Sequence, residues 1–190
     1  TIPSGEQSTR TAIAQWVLEG DESLVARPQN FQSVFRFMNM KNTTGVPLLP
    51  GTINLFAQSD YIGRFTSPFL VRPDEEFEMP FGVDDGIEIK REINDRLNSV
   101  DGDKLAHSET VTITLVNKSG IDRTVELEEA LLTSNDSRVK IDFKSIFPKP
   151  IETDRENKAK WQVMLKPSDK ETVSISYKIE YPRSIQLSGL

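Results

Sequence analysis

The feature that most constrains this chain is a period of two. Apolar residues alternate with polar ones in Val111, Ile113 and Leu115, in Val125 and Leu127, and in Val139, Ile141 and Phe143. The same alternation runs through Trp161, Val163 and Leu165, and then through Val173, Ile175, Tyr177, Ile179 and Tyr181. It gives each strand one face for a core and one for water. A lone strand cannot hide such a face, so two sheets must meet on it. Turn signals separate the runs. Asn117-Lys118-Ser119-Gly120 reads as a hairpin-type turn, Ala130 to Leu132 as an irregular corner, Ser145 to Lys158 as a long polar loop, and Pro167-Ser168-Asp169 as a turn.

The first half is denser in turns. Ser23 to Ala26 reads as a short strand, and Thr9 to Leu18 lacks helical spacing. Phe31 to Met40 is apolar on both faces and predicts a central strand covered on both sides. Gly45 to Gly86 follows as three short apolar runs between turn signals, among them Pro50-Gly51 and Arg72-Pro73-Asp74, and predicts a tightly connected set of strands. Ile87 to Ile93 alternates against Glu88, Lys90 and Glu92, a strand with one wet, charge-paired face. The polar stretch Asn94 to Leu105, centred on Asp101-Gly102-Asp103, reads as a domain boundary. The expectation is all-β: an N-terminal β domain over residues 1–103 and an immunoglobulin-like antiparallel β-sandwich over 104–190, packed closely on the first. No internal repeat is visible in the residues.

Composition excludes several functions. The net charge is −6 with no cluster of Lys and Arg, which argues against a nucleic-acid partner. The absence of cysteine removes disulfides and thiolate zinc sites. No run of about 18 apolar residues is present, so no membrane span is expected. The chain begins at Thr1 without a signal-peptide pattern, which suggests a piece of something longer.

Three segments, in order and spacing, resemble the C-terminal conserved region of the mucoidy inhibitor A family of bacterial proteins. The first holds Pro47-Leu48-Leu49-Pro50-Gly51, Tyr61-Ile62-Gly63, Phe81-Gly82-Val83-Asp84 and Ile89-Lys90-Arg91-Glu92. The second is Ile113-Thr114-Leu115-Val116-Asn117. The third runs from Trp161 to Pro167 and on through Ile175 to Pro182. Thr1 to Gly5 looks like the opening of the same region. One departure is Leu131-Leu132-Thr133-Ser134, which lacks the proline of the family's turn. The resemblance implies a domain of unknown function without catalytic residues to carry over, and an envelope setting outside the cytoplasm linked to exopolysaccharide.

Few residues suggest chemistry. His107 is the sole histidine; with no Ser or Cys marked as its partner, it reads as a solvated surface residue in a polar linker. Asp84-Asp85 and Asp101-Gly102-Asp103 are the candidate calcium ligands, but neither has EF-hand spacing, and Asp favours turns through its own backbone hydrogen bonds. Asp74, Glu75 and Glu76 read as a solvated turn. Asn42, Asn117 and Asn135 each open an Asn-Xaa-Ser/Thr acceptor sequence. Trp16, Trp161 and the phenylalanines read as core. The expectation is a non-enzymatic interaction module with no catalytic, cofactor or metal residues, contacting a protein partner or itself. The alternatives are a carbohydrate-binding module and a metal-assisted hydrolase using Asp84 or Asp101.

Overall fold

A computed structural model describes residues 16–57, 60–68 and 70–185, without the side chains of Ala57 and Asp101. Most of Thr9 to Leu18 and the opening Thr1 to Gly5 therefore lie outside the described residues. The fold is all-β, with twelve strands among the described residues: β1 Gly20–Ala26, β2 Val34–Lys41, β3 Gly51–Ala57, β4 Asp60–Ser67, β5 Glu76–Asp84, β6 Ile87–Asp101, β7 Lys104–Asn117, β8 Arg123–Ala130, β9 Lys140–Phe147, β10 Glu152–Thr153, β11 Lys158–Leu165 and β12 Lys170–Pro182. They form a six-stranded sheet in the order β10-β11-β8-β1-β2-β5, a four-stranded sheet β6-β7-β12-β9 and a two-stranded ribbon β3-β4. β10 with β11, β11 with β8, β7 with β6 and β12, β12 with β9, and β3 with β4 pair antiparallel, whereas β1 runs parallel to β8, with Leu24 opposite Val125 and Ala26 opposite Leu127.

The chain divides into two compact units, Thr1–Asp21 with Met38–Met79, and Glu22–Phe37 with Pro80–Leu190. This differs from a division at Asp103. Asp101 and Lys104 pair across a tight turn, with Gly102 in the left-handed region at φ 59°, and β6 and β7 continue as one hairpin inside the second unit. The Gly and Asp there mark a strand reversal rather than a linker.

The second unit is a β-sandwich. Inward residues of the six-stranded sheet (Leu24, Ala26, Val34, Val125, Leu127, Trp161, Val163 and Leu165) form one core with Ile87, Ile89, Val111, Ile113, Leu115, Val173, Ile175 and Ile179 of the four-stranded sheet. The period of two is thus realised on both layers. Trp161 is 2% exposed, and its indole Nε1 donates to the Pro148 carbonyl at 2.8 Å, so its polar handle is satisfied inside the core. Other expectations need correction. Phe31 precedes β2 and is exposed, and Trp16 is 49% exposed. Gly45 to Gly86 is not one connected set: β3 and β4 pair only with each other among the described strands, while β5 joins the large sheet.

Asn117 to Gly120 is likewise no hairpin turn, because β7 and β8 lie in different sheets. It is a corner clasped by a buried asparagine. Asn117 Nδ2 donates to the Ile121 and Leu165 carbonyls at 2.8 and 3.0 Å, and Oδ1 accepts from Ser119 N and Oγ at 2.9 and 2.6 Å. The same clasp stands at the corner between β2 and β3. Asn42 Nδ2 donates to Val46 and Val71 carbonyls at 2.8 and 3.1 Å, and Oδ1 accepts from Thr44 N and Oγ1 at 3.1 and 2.7 Å. The segments gripped also match. Asn42 exchanges backbone bonds with Asp74 and Glu75, and Asn117 with Ser168 and Asp169. Asp74 and Ser168 sit at φ 64° and 67°. Glu75 accepts from Arg72 N through its carboxylate, as Asp169 does from Lys166 N. The two units therefore share a structural repeat that places β3 and β4 in the first where β8 and β11 stand in the second, a repeat the sequence reading did not detect.

Candidate functional site

Two polar clusters occupy inward positions where alternation alone calls for apolar residues, one on the four-stranded sheet and one between it and β8 of the six-stranded sheet. His107 is buried on β7, not solvated in a linker. Its Nδ1 is 2.7 Å from Asn98 Oδ1, and its Nε2 is 3.1 Å from Glu109 Oε2. Glu109, also buried, accepts from Arg96 Nε at 3.2 Å and from the Tyr177 hydroxyl. A β-bulge makes this possible. Asn94 pairs with Thr110 and Leu97 with Ser108, so Asp95 and Arg96 both stand opposite Glu109, with Asp95 in the left-handed region at φ 54°. The cluster uses both His107 nitrogens and both Glu109 oxygens in holding itself together. None of its members is a hydroxyl or thiol nucleophile of the kind a Ser or Cys triad needs.

The second cluster is the pair Arg91–Glu129. Arg91 Nε and a terminal nitrogen both donate to Glu129 Oε1, at 3.0 and 2.8 Å, and Oε2 has no hydrogen-bond partner. Burial pushes the Glu129 carboxyl above the usual range and outweighs the opposing pull of Arg91. A cavity of about 30 Å³ adjoins the pair, lined by Gln29, Leu131, Leu132, Phe143 and Tyr177 among others. That is room for about two or three water molecules, too small for an organic substrate.

The acidic candidates do not converge. Asp84 is buried and locked in place: Arg36 reaches Oδ2 at 2.6 Å, Arg123 lies 3.6 Å from it, and Gly86 N donates to Oδ1 at 2.9 Å. Glu22 bridges the same two arginines at 3.5 and 2.9 Å. A carboxylate already neutralised by guanidinium is a poor cation ligand. Asp85 is exposed in the β5–β6 turn, Asp103 is exposed in the β6–β7 turn, and the Asp101 side chain lies outside the described residues. Among the described residues no three His, Asp or Glu side chains group as metal ligands. Of the turn acids, Asp74 pairs with Lys41 at 3.1 Å and Glu75 belongs to the first clasp. Asn42 and Asn117 are fully buried by their clasps, so neither presents an amide for glycosylation, whereas Asn135 is exposed.

Three of the exposed apolar residues of the first unit, Phe56, Tyr61 and Ile62, adjoin one another on the β3–β4 ribbon. Ile53 pairs with Phe65 and Leu55 with Gly63, and these positions face inward, Leu55 being buried. A bulge on β4, where Ile62 is the extra residue between Tyr61 and Gly63, then sets Phe56 opposite Tyr61. Their rings meet edge to face at 5.6 Å and are 57% and 59% exposed, with Ile62 exposed beside them. A two-stranded ribbon is marginal alone in water, and grouped exposed apolar side chains mark contact surfaces.

Residues 1–183 match the family described as Domain of unknown function (DUF4139). The chain belongs to that family. A similar protein is Protein F37C4.5 of Caenorhabditis elegans, 23% identical over 205 aligned positions that cover 98% of this chain and 36% of the worm protein. The chain thus spans about a third of that relative's length. No solved structure matches it significantly.

Proposed function

We propose that this DUF4139 chain is a non-enzymatic β-sandwich module that works by protein–protein contact, of the mucoidy inhibitor A type, with an immunoglobulin-like second half and a setting outside the cytoplasm. The observation that carries the reading is the β3–β4 ribbon, which holds Phe56, Tyr61 and Ile62 in water. The buried polar clusters support it from the other side. Apart from Glu129 Oε2 their groups bind one another, and the cavity beside Glu129 holds about 30 Å³. The resemblance to mucoidy inhibitor A motivates the envelope setting.

The glycan alternative asks for rings laid flat to receive a sugar face, and Phe56 and Tyr61 cross at 66°. The hydrolase alternative asks for free carboxylates, and Asp84 is paired to Arg36. The test is a pull-down from envelope extract with the chain as bait, beside a Phe56→Ser/Tyr61→Ser variant of equal thermal stability. A protein retained by the first and lost by the second is the expected result. Identical capture by both overturns the reading.

A further inference from the structure

Sheet edges left open invite foreign strands, and proteins guard them with charge, proline, bulges or short length. Among the described strands this chain guards its open edges with one exception. β6 carries six charged residues between Glu88 and Arg96 and a bulge at Asp95. β9 carries Lys140, Asp142 and Lys144; β5 carries Glu76, Glu78 and Pro80; β10 is two residues long; β4 carries Asp60 and Arg64. β3, Gly51-Thr52-Ile53-Asn54-Leu55-Phe56-Ala57, has no charge and no proline, and its outer edge pairs with no described strand.

The structural repeat says what such an edge holds. β8 occupies the position of β3 in the second unit: each follows an asparagine clasp, and each pairs antiparallel with the strand that leads to the gripped segment. β8 has a strand on both sides, β11 on one and β1 on the other. β3 has β4 alone.

We propose that the outer edge of β3 takes the β3 of a second copy of this chain. This rests on the contact reading above and names its partner. A two-fold axis makes the new pair antiparallel, unlike β1 on β8, and brings the same patch together from both copies. Self-pairing sets no charge opposite another, because β3 has none. Two ribbons then make a four-stranded sheet, past the size at which a ribbon is marginal in water. Its outer edges are the two β4 strands with their Asp60 and Arg64, so growth stops at two copies.

Sedimentation equilibrium of the whole chain over a range of concentrations tests this. The expected mass rises from 21.5 kDa toward twice that value. Thr52→Lys/Asn54→Lys puts charge on β3 at exposed positions and is expected to stay at the single-chain mass, with the circular dichroism spectrum and melting temperature of the wild type at concentrations where the wild type is single. Thr66→Lys, the same charge on exposed β4, keeps the dimer. A wild-type chain that remains single at every concentration overturns the proposal, as does a β3 double-lysine variant that still pairs. If the chain is single yet the double-lysine variant loses a protein captured by the wild type, the second copy is wrong and the contact reading survives.

Discussion

At the scale of single residues, the two asparagine clasps do the most with the least. Each buried side chain closes its own corner and ties it to a segment far along the chain. Asn117→Ala strands the buried Leu165 carbonyl and removes the partner of the half-buried Ser119 amide. An unsatisfied buried group costs about 1–3 kcal/mol, so a loss of roughly 2–4 kcal/mol is expected after partial relaxation. Chemical denaturation checks it, and Asn42→Ala should move the same way; a loss under about 0.5 kcal/mol in either contradicts the clasp. Glu129 supplies a pH prediction. Its carboxyl is raised by burial in the folded chain, so its stabilising contribution is present below the ordinary Glu range and fades as pH rises through the folded value. Carboxyl-carbon NMR should show it titrating above the ordinary value of about 4.3, and Arg91→Met should move it higher. A midpoint at or below that value contradicts the burial argument. Neither residue was legible in the sequence. Asn117 read as a turn and a glycosylation acceptor, because short-range chemistry cannot reveal that Leu165 lies within reach. The hint was nevertheless present, as Asn-Xaa-Ser/Thr-Gly followed by Val or Ile occurs at both corners.

At the scale of elements, alternation found most strands of the second unit and located the core face, since Trp161 and Ile175 are both 2% exposed. It misread the polar stretch after Ile93. The bulge at Asp95 and the inward polar residues Asn98, His107 and Glu109 break the period of two, so one long hairpin looked like a linker. The consequence is measurable. Leu24, Ala26, Val34, Ile87 and Ile89 belong to the core of the second unit yet precede residue 104. A fragment of residues 104–190 should therefore lack dispersed methyl signals in a proton NMR spectrum. A fragment that folds cooperatively contradicts the sandwich as described. Gly20 is a further constraint on β1, because a Cβ there meets Met40 Cγ at 2.5 Å and the Asn39 carbonyl oxygen at 2.7 Å. The carbonyl belongs to backbone and cannot move aside, so alanine is expected to destabilise the first unit.

At the scale of the whole molecule, two units repeat one corner and differ in what flanks the strand beyond it. The larger unit completes a sandwich; in the smaller, β3 ends at an edge that nothing in its composition protects. The uncharged run of β3 was visible from the start, but its meaning was not. A residue string does not say which strands are edges, and only the sheet order separates a guarded edge from an open one. Amide hydrogen exchange over residues 51–57 at rising protein concentration is the most direct measurement. The β3 amides should slow as concentration rises, while those of the charged edge at residues 87–93 keep one rate. Exchange in β3 that is the same at every concentration contradicts self-association through that edge.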